Sequence, residues 1–245
     1  MNDSIKDILK LIKNIKYLTG IRKSSLASIE SIENPYEDFY EVRLKPSPDL
    51  TWSPGEHGMF KLPGKKVEGV DYRLFSVAST PEEGYMLLGM RTGKEISSFK
   101  KVLLGMKKGE QVSIKGPFGW FKIRDNTSPL VLFANGVGIT PIRALVKELE
   151  NDYNRPIEIV YASYKYYLFE EELTAIANKN PQMTLHKTVT PEETQMKLSQ
   201  LADKYGNEAY YFISGSPAVL ESVTALLKGK GIASKKIIDD TLKGY

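Results

Sequence analysis

Apolar and polar positions follow one rhythm up to about residue 128 and another beyond it. In Phe39-Tyr40-Glu41-Val42-Arg43-Leu44 apolar side chains recur at alternate positions, the period of a strand with one face buried, and Ser28-Ile29-Glu30-Ser31-Ile32 likewise interleaves apolar with polar residues in a short run. Pro46, Pro48, Pro54 and Gly55 then punctuate the chain as turn residues. The same pattern predicts strands over 58–62, 72–78, 85–90 and 111–114, with a helix over 97–104. Several short strands at this spacing predict an antiparallel β-barrel over 21–124. After Ser128-Pro129 the run Leu130-Val131-Leu132-Phe133-Ala134 is apolar throughout, as in a strand covered on both faces. Ile142, Leu145, Val146 and Leu149 then mark one side of a helix, strands are predicted over 157–162, 184–189 and 210–213, and a helix over 218–228. Strands alternating with helices predict an α/β domain with a parallel sheet over 128–245. The expected fold is therefore two-domain, an antiparallel β-barrel followed by an α/β parallel-sheet domain.

Residues 1–20 belong to neither pattern. Ile5, Ile8, Leu9, Ile12 and Ile15 recur at helical spacing while Lys6, Lys10, Lys13 and Lys16 interrupt them. This N-terminal amphipathic helix has two readings: an isoleucine stripe docked on the protein body or a subunit, or a cationic helix on an acidic membrane surface. The interrupting lysines argue against a secretory signal, and no apolar run is long enough for a spanning helix. The expected location is cytoplasmic, membrane-peripheral under the second reading.

Composition removes several chemistries. The 245 residues include no cysteine, which rules out disulfides, thiolate zinc sites and cysteine-held iron-sulfur clusters within them. His57 and His186 are the only histidines and lie far apart, so no metal site and no histidine triad is expected. A net charge of +4 favours an acidic protein partner through steering but is too small to argue for nucleic acid.

The candidate chemistry starts in Asp71-Tyr72-Arg73-Leu74-Phe75-Ser76-Val77-Ala78-Ser79. On an extended segment Arg73 and Phe75 share one face, and Leu74, Ser76 and Ala78 the other. A guanidinium beside a flat ring suits a ligand carrying a phosphate and an aromatic plane. A flavin has both. Downstream, Asn135-Gly136-Val137-Gly138-Ile139-Thr140-Pro141 joins the buried strand to its helix, where Gly136 and Gly138 permit close backbone approach and Pro141 suits the first helical turn. Free amides and the helix dipole there favour an anion. A proline where the third glycine would lie departs from the Rossmann fingerprint. Phe212-Ile213-Ser214-Gly215-Ser216-Pro217 repeats the strand-to-helix arrangement, and Ser97-Ser98-Phe99 opens the barrel's helix, where a serine can cap and the amides could hold a phosphate.

Arg73, Leu74, Phe75 and Ser76 resemble the Arg-x-Tyr/Phe-Ser signature of the ferredoxin-NADP reductase superfamily, and 136–141 resembles its Gly-x-Gly-x-Thr-Pro loop. The resemblance covers 21–245 and implies an FAD-binding barrel, FMN being less favoured, followed by a domain for NADPH or NADH. It implies that Arg73 holds the flavin phosphate, Phe75 packs on the isoalloxazine, Ser76 bonds near its hydride-accepting nitrogen, and Thr140 sits near the nicotinamide. Gly116-Pro117-Phe118-Gly119-Trp120-Phe121 looks like a further family segment and is expected to form a turn. Ser214-Gly215 resembles the family's Cys-Gly turn with a hydroxyl replacing the thiol, so Ser214 is expected to orient the nicotinamide. Asp239-Asp240 and the terminal Tyr245 resemble the family's acidic-then-aromatic end, in which the ring covers the flavin.

Function enters as an expectation: hydride passes from NAD(P)H to FAD, and electrons go on to a separate acceptor such as a ferredoxin, an oxygenase, a flavodoxin or a ferric chelate. The alternative is a non-turnover regulatory or scaffold subunit that keeps both nucleotides. Ser163-Tyr164-Lys165-Tyr166-Tyr167 offers a cation and no early carboxylate, which leans towards NADPH through Lys165.

Overall fold

The computed structural model describes residues 19–240. Residues 1–18 of the amphipathic helix expected over 1–20 and the expected flavin-covering Tyr245 lie outside the described residues. Six strands, β1 (Ser24–Tyr36), β2 (Phe39–Pro46), β3 (His57–Lys61), β4 (Tyr72–Ser76), β5 (Met86–Arg91) and β6 (Gln111–Phe118), form an antiparallel sheet in the order β4-β3-β6-β1-β2-β5. The sheet curls around Val42, Leu44, Phe60, Phe75, Leu88, Phe99 and Ile114. Its edges meet just beyond β4, where Ala78 N–H donates to Leu87 O at 2.7 Å. The Ser79 hydroxyl donates to Tyr85 O at 2.8 Å and accepts from Leu87 N at 2.9 Å. These bonds satisfy groups that an open edge would leave free. Helix α1 (Ser98–Leu104) covers one end of the barrel.

The second half runs β7 (Leu130–Asn135), α2 (Ile139–Glu148), β8 (Ile157–Ala162), α3 (Glu170–Lys179), β9 (Met183–Thr188), α4 (Pro191–Tyr205), β10 (Tyr210–Ser214), α5 (Pro217–Gly229) and β11 (Ile237–Asp240). The strands are parallel in the order β11-β10-β7-β8-β9. Alternate residues of β7 serve opposite layers: Leu130 and Leu132 pack with Ile142, Leu145 and Leu173, whereas Val131 and Phe133 pack with Leu198, Leu220 and Val223. Both β7 faces are therefore covered, as its unbroken apolar run requires. Strand order reverses between β7 and β10, which opens a crevice at their carboxyl ends.

The barrel shares a core with this domain. Phe39, Ala78, Leu87 and Phe121 join the cluster that contains Ile142, Leu168 and Phe169. The expected turn at Gly116-Pro117 is instead the end of β6, which continues to Phe118. Helices α3 and α4 are rich in Glu, Lys and Gln with few apolar positions, so their stripes are narrow; β11 is too short for a period to register.

Candidate active site

Arg73 stands on edge strand β4 with its guanidinium turned towards α1. Its Nη1 donates to Tyr72 O at 2.8 Å and Val70 O at 3.2 Å, and the group lies 5.8 Å from the centre of the Phe99 ring. Lys100 is the cation that sequence reasoning missed. Burial lowers the pKa of its amine, and the charge of Arg73 lowers it further, a sign that two positive groups converge. Its Nζ donates to Arg91 O at 2.6 Å. Ser97 and Ser98 serve the local chain: Ser97 Oγ caps Lys100 N at 3.4 Å, and Ser98 Oγ accepts from Glu68 N at 2.9 Å. Phe75 shares the face of Arg73 but is largely enclosed, 5.5 Å from Phe60 and 6.2 Å from Phe99 between ring centres. Leu74, on the opposite face, is half-buried.

Ser76, Ser214 and Asp240 come together across the domain boundary. Ser76 Oγ donates to Asp240 Oδ2 at 3.0 Å, and Ser214 Oγ lies 3.4 Å from the same oxygen. All three residues are buried. Topology explains the meeting: β10 and β11 are parallel neighbours with Ser214 opposite Asp240, and the barrel presents Ser76 to that corner. Asp240 stood in the sequence only as part of an acidic terminal run, and nothing local pointed to its partners. His57 lies opposite Ser76 in the β3–β4 ladder and packs edge-on against Phe118 at 4.5 Å. Burial pushes its imidazole down to about 4, so it is neutral at physiological pH.

The two strand-to-helix loops touch. A Cβ on Gly138 would meet Ser214 O at 2.5 Å, so only glycine lets the loop after β7 lie against the loop after β10. Gly136 has φ 55° and open space around it, and Gly215 abuts Asn135. Pro141 occupies the first turn of α2. Thr140 Oγ1 donates to Val137 O at 2.7 Å and lies 3.5 Å from Gly89 O, on β5 of the barrel. The structure thus brings Ser76, Thr140, Gly138, Ser214 and Gly215 to one crevice. Arg73 lies apart from it beside α1, and Lys165 lies in the loop after β8 against the β1–β2 hairpin.

Arg143 of α2 ties the halves together. It is buried, donates to Glu83 through Nη1 at 3.0 Å and Nη2 at 2.7 Å, to Glu172 through Nε at 2.8 Å and Nη2 at 2.7 Å, and to Ala78 O through Nη1 at 2.7 Å. Burial alone would raise the Glu83 carboxyl, but the charge and bonds of Arg143 together with bonds from Thr80 N and the Tyr85 hydroxyl hold it below its ordinary value. Lys165 is also engaged, with its Nζ 3.3 Å from Glu37 Oε2 on the β1–β2 hairpin. Among the described residues no group of three or more His, Asp or Glu side chains is placed to hold a metal ion.

Structural comparison finds the same arrangement elsewhere. A flavohemoglobin from Malassezia yamatoensis with bound FAD and heme superposes with TM-score 0.74 at 19% identity, over 89% of this chain and 59% of that one. A ferredoxin-NADP+ reductase from Plasmodium falciparum gives TM-score 0.74 at 16% identity, over 90% of this chain and 96% of that one. The chain shares the two-domain fold of these proteins, an antiparallel barrel followed by a parallel sheet with helices. In sequence, the chain is 25% identical over 220 residues to the toluate 1,2-dioxygenase electron transfer component of Pseudomonas putida, covering 84% of this chain and 64% of that protein. It is 22% identical over 227 residues to the ferredoxin–NAD(P)+ reductase component of the naphthalene 1,2-dioxygenase system of Pseudomonas putida, covering 87% and 67%. The chain spans about two thirds of the length of these two relatives. No family model matches it.

Proposed function

We propose that this chain is an NAD(P)H-dependent flavoprotein reductase that takes hydride from the nicotinamide onto FAD and passes electrons to a separate acceptor. The observation that carries the reading is the Ser76–Asp240–Ser214 cluster, where the barrel and the glycine-lined crevice of the parallel sheet meet. A dinucleotide in such a sheet lies at the carboxyl ends of the strands where their order reverses. That crevice borders the barrel at Ser76. The residues suit a flavin: Arg73 and Lys100 converge beside α1 for its phosphates, and Ser76 offers a hydroxyl at the domain boundary.

Accepting hydride and releasing electrons onward is the chemistry that the flavin supplies when bound. The protein's share is placement. Arg73 and Lys100 offer cations to the phosphates, Ser76 and Ser214 direct their hydroxyls about the Asp240 carboxylate, and Gly138 lets the two crevice loops close on one another. Asp240 fixes the Ser76 hydroxyl in one orientation, which lowers the cost of arranging it during transfer. The Arg143 bonds hold the barrel against α2 and α3, so the two halves that would hold the cofactors are already fixed against one another. Ser214 positions; no histidine base accompanies it among the described contacts, so it is not a nucleophile.

The relatives serve oxygenase systems, and these 245 residues hold no cysteine for a cluster of their own. In this reading the acceptor is a separate protein or small molecule, an acidic carrier being favoured by the +4 charge. Among the described residues no helix is long and apolar enough to cross a membrane; a membrane-surface role rests on the segment over 1–20 alone.

Titration with FAD and FMN, followed by flavin fluorescence, tests the cofactor. FAD is expected to bind more tightly, and Arg73→Ala to weaken it by about 10- to 100-fold. Equal affinity of wild type and variant would remove Arg73 from the site. Screening ferredoxins, flavodoxin and ferric chelates with the reduced protein then identifies the acceptor class.

A further inference from the structure

If the nicotinamide sits at Ser214, the position of the dinucleotide's other end is set by sheet spacing. Strands lie about 4.8 Å apart, so β8 and β9 are about 10 and 14 Å from β10 across β7. The adenosine ribose then falls over the carboxyl ends of β8 and β9. A 2'-phosphate there needs free cations or free amides.

Those groups are already taken. Lys165, in the loop after β8, pairs with Glu37 at 3.3 Å, and Lys187 of β9 pairs with Glu170. The amides of Val189 and Thr190, after β9, donate to Glu193 Oε2 at 2.8 and 3.2 Å. A cavity of about 330 Å³ beside the loop is lined by Glu41, Glu170, Glu171 and Glu172 with Tyr166 and Tyr167. The ion pair also crosses between domains: Glu37 is at the tip of the β1–β2 hairpin, with φ 39°, a backbone position that a glutamate rarely takes. Beside it Tyr36 stacks on Tyr166, with ring centres 4.9 Å apart and planes 6° apart. The hairpin is thereby fixed over the loop.

We infer that the β1–β2 hairpin belongs to the adenosine end of the nucleotide site, and that Glu37 selects a free ribose diol by neutralising Lys165, making NADH and not NADPH the reductant. This rests on the crevice being the nicotinamide nucleotide site. Sequence alone presented Lys165 as a free cation because its partner is 128 residues away. With the hairpin in place, a 2'-phosphate meets carboxylates where it needs charge compensation, and a diol meets acceptors.

The test uses FAD-loaded protein and two variants of the exposed tip, Glu37→Gln and Glu37→Lys. Anaerobic flavin bleaching is followed with NADH and with NADPH, and binding of ADP and 2',5'-ADP is measured by calorimetry without turnover. Wild type is expected to favour NADH and ADP by about tenfold or more. Glu37→Gln should move both ratios towards the phosphorylated ligand by about threefold, and Glu37→Lys by about tenfold. Preference of wild type for NADPH, or ratios that stay within about twofold in both variants, overturns the role of Glu37. Bound flavin that neither nucleotide bleaches would instead sink the reductase reading, and this inference with it.

Discussion

The Ser76 hydroxyl donates to Asp240 Oδ2 at 3.0 Å, joining residues 164 positions apart and two differently built halves of the chain. Ser214 approaches the same oxygen at 3.4 Å. A carboxylate shared by two hydroxyls orients both, so removing it should disturb transfer more than binding. Asp240→Asn is expected to slow flavin reduction by about 10- to 100-fold with little change in nucleotide affinity. Stopped-flow traces over a range of nucleotide concentrations separate the two effects. Loss confined to affinity would mean that Asp240 supports the crevice and not the reacting end.

The Arg143 bridge predicts a stability effect. Arg143→Met leaves Glu83 and Glu172 facing each other without their cation, and should cost about 3 kcal/mol, measured by urea unfolding. Adding Glu83→Gln should recover part of that loss, since one of the two stranded charges is then gone. A single variant as stable as wild type would show that the bridge contributes nothing to holding the halves together.

Gly138 and Gly136 sit two residues apart and should behave differently. Gly138→Ala drives a methyl to 2.5 Å from Ser214 O, a backbone atom that cannot step aside cheaply, and should cost about 1–3 kcal/mol and weaken nucleotide binding. Gly136→Ala meets no atom within 4 Å and loses only through its positive φ, about 1 kcal/mol. Equal losses in the two variants would argue against contact between the crevice loops.

Two buried groups set the acid side of the stability curve. His57 titrates at about 4 in the fold and at about 6.5 when unfolded, so the unfolded chain binds the extra proton and stability falls as pH drops from about 6.5 to 4. Glu158 is the opposite type of group: bonds from His186, and also from Tyr205 and Lys204, hold it down at about 2. Its contribution is present above its unfolded value of about 4.5 and lost as pH falls towards 2. His57→Phe should flatten the higher window and Glu158→Gln the lower one, read from urea midpoints across pH. An unchanged slope in either window would reject that residue as the cause.

How much of this was legible in the sequence depended on whether the signal was local. The unbroken apolar run from Leu130 to Ala134 announced a strand covered on both faces, and the segment from Tyr72 to Ser76 announced a strand of the barrel. Gly136 and Gly138 were readable for the same reason, since a strand-to-helix turn dictates its own residue types. Asp240, Lys100 and the Glu83–Arg143–Glu172 bridge were not, because each acquires its meaning from a partner brought by the apposition of distant elements. Lys165 is visible in the sequence as a cation, but its partner Glu37 lies 128 residues away on the barrel's hairpin. Helix α4 was missed because most of its residues are polar, and the buried apolar stripe of Leu198, Leu201 and Ala202 is too thin to register.

The central claim is hydride transfer across the boundary between the two halves. Its most direct measurement is the visible flavin absorbance of the FAD-loaded protein after anaerobic mixing with NADH, compared between wild type and Ser76→Ala. Rapid, complete bleaching is expected in wild type and a rate lower by about 10- to 100-fold in the variant, with FAD still bound in both. Bound FAD that neither NADH nor NADPH bleaches, or equal rates in the two proteins, would contradict it.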